Sequence, residues 1–246
     1  IESTDPSTGP GDTITTRDGS DIIVGGLGDD EINAGDGDNL IFGDGVRIIG
    51  LDVFPEGDQT RPLTLSTLTL VAPELGGNDI INTGLGRDIV IGGAGRDTIT
   101  TNIGESVGAD GQADIVIGDF AEIEWAVSEG KEIPVRITSV FELLGDDDTI
   151  TTGAGADVII GGTGRDVIDA GADNDLIFGD YAEISGLIRV EDLPIGEGRV
   201  FDYVSISTTA ADLGDDDTIT GGNGDDTILG QTGNDTIWGN DGDDGS

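Results

Sequence analysis

Cysteine, histidine and methionine are absent from this chain of 246 residues. Their absence removes disulfides, thiolate and imidazole metal ligands, and the usual Cys/His catalytic pairs. Basic residues are scarce too: 10 Lys and Arg stand against 51 Asp and Glu, a formal charge of −41 at pH 7. That sign disfavours nucleic acid as a partner. No apolar run approaches the ~18 residues of a membrane-spanning helix, and no charged-then-apolar signal segment is present, so the chain reads as soluble with no membrane span.

What is abundant is aspartate, glutamate and glycine, the last 44 times. Two carboxylates ~5 Å apart repel by about 3 kcal/mol at an effective dielectric of ~20, so a compact fold needs counter-ions held in place. With oxygen as the only ligand type, the inventory favours a hard cation. Calcium, with its flexible set of oxygen contacts, suits it better than zinc. Such acidity with few aromatics also marks disordered chains, but here the acids sit at fixed offsets from Ile and Val. The first residue is Ile1, not Met, which leads us to expect a processed protein or a segment of a longer one.

Those offsets define a nine-residue frame, G-G-x-G-x-D-x-U-x with U apolar. The stretch GGTGRDVID at 161–169 continues into 170–178 and back into 152–160 without a gap. The frame covers 7–42, 74–100 with 109–117, 143–178 and 212–246. Its eighth position holds Ile14, Ile23, Ile32, Ile41, Ile81, Val90, Ile99, Val116, Ile150, Ile159, Ile168, Ile177, Ile219, Ile228 and Ile237. All are β-branched, as a short strand facing a narrow core requires. Positions six and eight are two apart, so in extended geometry the aspartate and the apolar residue point to the same inner side. Glycines at positions one, two and four permit turns that leave carbonyl oxygens free to converge on a cation.

A longer period lies above the first. Asp12, Asp79, Asp148 and Asp217 occupy equivalent positions, which divides one continuous repeat solenoid into modules at about 1–73, 74–142, 143–211 and 212–246. The first and last are incomplete: residues 1–15 align without gaps to 206–220, and the chain stops at Ser246, where the frame asks for Ile or Val. Inserts at about 44–73, 119–142 and 180–211 open with similar words, FGDGVRI, IGDFAEI and FGDYAEI. Ile123, Trp125 and Val127 are answered across Glu129–Gly130–Lys131 by Ile133, Val135 and Ile137, which reads as a β-hairpin. The other hairpins would pair 46–53 with 63–71 and 181–190 with 199–207. Pro55, Pro62, Pro134 and Pro194 fall at or near hairpin ends or edges. At one per module, the hairpins should leave the solenoid on one side and stack on each other with their apolar faces covered.

The stretches GGLGDDEIN, GGAGRDTIT, GGTGRDVID and GGNGDDTIL resemble the RTX, or haemolysin-type, calcium-binding nonapeptide repeat. The resemblance spans roughly three-fifths of the chain, leaving the inserts and an irregular stretch near Asn102–Gly108 outside it. It implies that two nonapeptides form one turn of a right-handed parallel β-roll, an all-β β-solenoid of some eight coils, here with protruding stacked β-hairpins. It further implies several calcium ions between stacked turns on each edge, held by aspartates and backbone carbonyls. Carried over position by position, the ligand candidates are Asp21, Asp30, Asp79, Asp88, Asp97, Asp114, Asp148, Asp157, Asp166, Asp175, Asp217, Asp226 and Asp235, with Asp12 and Asp244 weaker at the ends. Asn39 and Ser106 depart from the pattern. Inserts interrupt the turns after Gly43, Gly118 and Gly179, which puts calcium there in doubt. Asp44, Asp119 and Asp180 either replace the missing ligand or make a plain hairpin turn. The family is typically secreted, staying unfolded at the low calcium of the cytoplasm and folding outside.

No insert offers a nucleophile beside a base, and the frequent DD pairs belong to the repeat, so we expect no enzyme. Ice binding is a minor alternative that would want a uniform row of Thr and Asn at loop positions three and five. Those positions hold Leu27/Asp29, Ala94/Arg96, Ala154/Ala156 and Asn223/Asp225 instead. Arg87, Arg96 and Arg165, at the fifth position, either balance neighbouring acids or form a stripe for a partner. Two structural readings remain: a self-assembling extracellular filament or surface-layer subunit, motivated by the two uncapped mid-module ends, and a stalk segment of a large secreted RTX adhesin or toxin. The partners are then copies of the chain or neighbouring modules, stacked end to end, with room for a carbohydrate or cell-surface ligand on the hairpin face.

Overall fold

The computed structural model describes residues 9–50, 65–70, 75–103, 112–128, 131–186, 203–210 and 212–241. Each nonapeptide contributes one short strand and one turn. The first four are β1 (Thr13–Thr15), β2 (Ile22–Gly26), β3 (Glu31–Asn33) and β4 (Leu40–Asp44), followed by β5 (Val46–Gly50) and β6 (Leu65–Leu70). Next come β7 (Ile80–Asn82), β8 (Ile89–Ile91), β9 (Thr98–Thr100) and β10 (Ile115–Ile117), then β11 (Ala121–Ser128) and β12 (Lys131–Ser139). The third set is β13 (Thr149–Ala154), β14 (Val158–Ile160), β15 (Val167–Ala172) and β16 (Leu176–Phe178), with β17 (Ala182–Gly186) and β18 (Tyr203–Thr208). The last strands are β19 (Thr218–Asn223), β20 (Thr227–Leu229) and β21 (Thr236–Asp241), and no helix occurs among the described residues.

The chain winds alternately between two parallel sheets, one of eight strands in the order β1-β3-β7-β9-β13-β15-β19-β21 and one of seven in the order β2-β4-β8-β10-β14-β16-β20. This is the parallel β-roll that the resemblance implies. Register places eighth positions opposite each other, as in Ile14↔Ile32, Ile41↔Val90 and Val116↔Ile159. All the eighth-position residues meet in one core between the sheets, with only Ile14 and Ile237, at its two ends, partly exposed.

The flanking positions seven and nine differ between the sheets. In the seven-stranded sheet they are large and apolar except at Thr227, giving the triplets Leu40-Ile41-Phe42, Ile115-Val116-Ile117 and Leu176-Ile177-Phe178. A continuous apolar run means a strand buried on both faces. In the eight-stranded sheet the same positions are often threonines, as in Thr98-Ile99-Thr100, with outward-facing Thr98, Thr149 and Thr151 exposed.

The hairpins supply the missing cover. They join edge to edge through β6–β11 and β12–β17 into one antiparallel sheet, β18-β17-β12-β11-β6-β5. They do stack beside one another, but they do not stand clear of the solenoid as expected. Val46, Ile48, Ile123, Trp125, Ile137 and Ile184 pack against Phe42, Ile91, Ile115, Ile160, Leu176 and Phe178 in a second core. The reason is the outer face of the seven-stranded sheet: each exposed Ile or Phe there would forgo about 1.5–3 kcal/mol of burial.

Within the central hairpin Ile123 faces Ile137, and Trp125 faces Pro134 across a register shift after Glu124. The bulge accommodates a proline that has no N–H to donate. The shift puts Pro134 and Glu132, not the expected Val135 and Ile133, opposite Trp125 and Val127, whereas Val46↔Leu70 and Ile184↔Ile206 fall within the expected segments. Pro55, Pro62, Pro194, Glu129, Gly130, Ser106, Asp244 and the first eight residues lie outside the described residues.

Candidate metal centres

The turns that leave the seven-stranded sheet form one edge of the solenoid, and the three hairpins spring from it at β4, β10 and β16. On this hairpin edge the sixth positions are Asp12, Asp30, Asp79, Asp97, Asp148, Asp166, Asp217 and Asp235. The opposite edge carries Asp21, Asn39, Asp88, Asp114, Asp157, Asp175 and Asp226. All thirteen sequence candidates therefore fall into two rows. Along each row the sixth-position side chain is tied to its neighbour by the same bond.

Each Oδ1 accepts the backbone N–H of the sixth-position residue one coil earlier. On the hairpin edge Asp12 N–H donates to Asp30 at 2.6 Å, Asp30 to Asp79 at 2.7 Å, and Asp79 to Asp97, Asp97 to Asp148 and Asp148 to Asp166 at 2.8 Å. Asp166 donates to Asp217 at 2.9 Å and Asp217 to Asp235 at 3.0 Å. The opposite edge runs from Asp21 to Asn39 at 3.0 Å, Asn39 to Asp88 at 2.9 Å, Asp88 to Asp114 at 2.8 Å, Asp114 to Asp157 at 2.7 Å, Asp157 to Asp175 at 2.8 Å and Asp175 to Asp226 at 3.0 Å. The ladder locks every sixth-position side chain after Asp12 and Asp21 at its turn.

The second oxygen is left over. Oδ2 of Asp30, Asp79, Asp97, Asp148, Asp166 and Asp217 is buried with no hydrogen-bond donor among the described residues, and so are those of Asp88 and Asp175 on the opposite edge. An unsatisfied buried carboxylate oxygen costs several kcal/mol unless something positive meets it. The electrostatics agree. Burial above all, opposed by backbone N–H donors and reinforced by neighbouring acids, pushes Asp44 up to about 8, Asp79 and Asp217 to about 7, and Asp175 to about 10. Asp97, Asp148 and Asp166, in the middle of the hairpin edge, are raised well above the carboxylate range, first by burial and also by the charge of Asp119, joined by Asp79 and Asp44 at Asp97, by Asp97 and Asp166 at Asp148, and by Asp217 and Asp180 at Asp166.

On the hairpin edge a first-position glycine stands beside each of these oxygens. A Cβ placed on Gly25, Gly43, Gly92, Gly118, Gly161 or Gly179 would lie 2.1–2.4 Å from Oδ2 of the aspartate that closes its turn. The same Cβ would lie 2.2–2.8 Å from the carbonyl oxygen of the first-position glycine in the next coil. Carboxylate and carbonyl oxygens thus converge where a side chain would otherwise sit. Among the described residues no three carboxylates gather at one point, so backbone carbonyls must supply the rest of any ligand set. Oxygen-only, anionic and adaptable, this donor set fits calcium.

The inserts leave the cradle intact. Gly43 faces Asp79, Gly118 faces Asp148 and Gly179 faces Asp217, as Gly92 faces Asp97 where no hairpin intervenes. Asp44, Asp119 and Asp180 act at the hairpin bases instead. Asp44 Oδ2 accepts Ala94 N–H at 2.6 Å, Asp119 Oδ2 accepts Thr163 N–H, and Asp180 accepts Thr232 N–H at 2.8 Å and Asp215 N–H at 3.3 Å. Each ties the start of a hairpin to the turn of the next coil, a role that sequence reasoning left open. Arg96 pairs with Asp146 at 3.1 Å and Asp147 at 2.7 Å on the surface, which is charge balancing.

A model of the RTX calcium-binding nonapeptide repeat matches residues 12–46, 75–106, 144–180 and 213–245, more than half of the chain. No curated protein and no solved structure matches it.

Proposed function

The chain belongs to the RTX calcium-binding nonapeptide repeat family, and from that premise we propose that it is an extracellular scaffold that folds when calcium binds and extends end to end as a filament or surface layer. Membership makes it a calcium-binding structural repeat protein that takes several ions. The site assignment is ours: the thirteen sixth-position aspartates are ligands, together with first-position carbonyls such as those of Gly43, Gly92, Gly118 and Gly161. What the ion supplies is positive charge between coils.

The observation that carries the reading is the row of buried Oδ2 atoms without donors. In the absence of a cation, like charges are stacked coil upon coil inside the fold. Binding to the folded state alone adds RT ln(1 + [L]/Kd) per site, about 0.4 kcal/mol when calcium equals Kd and about 1.4 kcal/mol at ten times Kd. Half a dozen sites then give roughly 2.5–8 kcal/mol, on the order of a domain's whole stability. Extracellular modules need only Kd ~10⁻⁴–10⁻³ M for this, so a secreted chain would fold outside the cell and stay open within it.

For assembly, the support is the repeat itself. The described sheets end on β1 and β21, β2 and β20, and β5 and β18, each paired on one side only among the described residues. An end strand of this kind templates a further strand, whether from another copy or, in the stalk reading, from a neighbouring module. Sedimentation velocity in millimolar calcium and again in excess EGTA tests both halves. Polymers that dissolve on chelation support the filament, compact monomers that expand support the stalk, and indifference to EGTA overturns calcium-dependent folding.

A further inference from the structure

Both edges carry the sixth-position ladder, yet their first positions differ. Every described turn of the hairpin edge from Gly25 to Gly230 begins with glycine, whereas the opposite edge has Thr16, Ala34, Thr83, Thr101, Thr152 and Ala170 before Gly221. Where glycine stands, carboxylate and carbonyl oxygens fill the space of the missing Cβ. Where threonine or alanine stands, a side chain fills it.

The opposite edge also supplies its own donors. Asn39 Nδ2 donates to the carbonyls of Gly35 at 3.1 Å and Gly37 at 2.8 Å, inside its own turn. Asn102 Nδ2 donates to Asp114 Oδ2 at 3.0 Å and to the Ala154 carbonyl at 3.3 Å, spanning two coils. Thr101 Oγ1 donates to the Thr152 carbonyl at 3.0 Å in the same gap. These N–H and O–H groups occupy the lone pairs that a cation would need, and Asn39 replaces a charged ligand with a neutral one. Calcium affinity follows ligand charge count, so both changes work against it.

Resting on the calcium reading above, we infer that the two edges bind calcium unequally: an unbroken row runs along the hairpin edge from Asp30 to Asp235, while the opposite edge takes none at the Asn39 turn or in the Asn102–Asp114 gap, which withdraws Asp114 from the ligand set assigned above. There, protein amides and hydroxyls do what the ion does elsewhere. Elsewhere on the opposite edge the Oδ2 atoms of Asp88 and Asp175 stay buried without donors among the described residues and remain open to the ion. The ions accordingly rivet the edge from which the hairpins spring, and the second core forms on the calcium-controlled side.

Asparagine preserves the ladder bond, as Asn39 shows by accepting Asp21 N–H, so Asp→Asn substitutions isolate charge and Oδ2. The test compares Asp97→Asn with Asp114→Asn in the full chain, reading the calcium midpoint of folding by circular dichroism and the bound ions by native mass spectrometry. Asp97→Asn should raise the midpoint about tenfold and lose at least one ion. Asp114→Asn should shift it by less than about twofold and keep the count. Equal shifts, or a larger effect of Asp114→Asn, would overturn the inference. Should Asp97→Asn fail to fold, an anomalous difference map of the unsubstituted chain crystallised with calcium decides: peaks are expected along Asp30–Asp235 and none beside Asn39 or Asn102, and peaks there refute it. A parent chain that folds without regard to calcium would instead overturn the proposed function.

Discussion

Replacing Gly92 with alanine tests the cradle directly. The Cβ would stand 2.3 Å from Asp97 Oδ2 and 2.4 Å from the Gly118 carbonyl oxygen. Ordinary contact begins near 3.4 Å, so each oxygen must retreat by about 1 Å, several times the ~0.2 Å tolerance of a metal–ligand distance. Two costs follow. Overpacking a rigid turn costs about 1–3 kcal/mol whatever the solvent. Loss of one calcium site removes a further RT ln(1 + [L]/Kd), about 0.4–1.4 kcal/mol for calcium between one and ten times Kd.

Only the second cost depends on calcium, and this separates the cradle from a merely tight turn. Urea unfolding followed by circular dichroism at several calcium concentrations should show the gap between Gly92→Ala and the parent widening as calcium rises, because the variant takes up about one ion fewer. Gly26→Ala is the control. Its φ of 118° strains alanine, but nothing lies within 4 Å of the Cβ, so it should cost about 1 kcal/mol at every calcium concentration. A constant gap for Gly92→Ala, parallel to that of Gly26→Ala, would refute the ligand role of Asp97 Oδ2 and the Gly118 carbonyl.

Further outcomes follow from the same geometry. In EGTA, stability should rise as pH falls: the buried aspartates have folded pKa values above the ordinary 3.8, so the stability associated with their neutral form is complete below about pH 4. It is lost as pH rises through about 6 for Asp88 and Asp180, about 7 for Asp79 and Asp217, and about 8 for Asp44. Circular dichroism of the calcium-free chain at pH 4 and pH 8 checks the sign. Phe178→Ala, at a fully buried position between solenoid and hairpin sheet, should cost about 3–5 kcal/mol in urea unfolding with calcium present. Arg136→Ala should cost less than about 1 kcal/mol in the same assay, because its pairs with Glu124 at 3.4 Å and Glu183 at 3.1 Å are largely exposed.

The solenoid was legible because one residue type at one spacing does one job: β-branched residues every nine positions can only line a narrow core, and Ile14 through Ile237 all do so. The sixth-position aspartates were legible for the same reason. The hairpin placement was not, because attention to the eighth position hides the seventh and ninth. Leu40, Phe42, Leu176 and Phe178 mark a second buried face, while Thr98 and Thr100 mark a wetter one, and that alternation is visible in the sequence once coils rather than nonapeptides are compared. Asp44, Asp119 and Asp180 could not be assigned from sequence, since their acceptors' donors, Ala94, Thr163 and Thr232, lie a whole coil and an insert away.

The longer period follows from matching two axial rises. Each solenoid coil advances by one strand spacing, ~4.8 Å, and a hairpin laid against the roll occupies two such spacings in its own sheet. A hairpin at every coil would crowd four strands into the space of two, and one at every third coil would break the hydrogen bonds between neighbours. One hairpin per two coils lets β6 reach β11 and β12 reach β17 while each strand stays over the solenoid residues it covers. Four nonapeptides and one insert are therefore the smallest unit that repeats without strain.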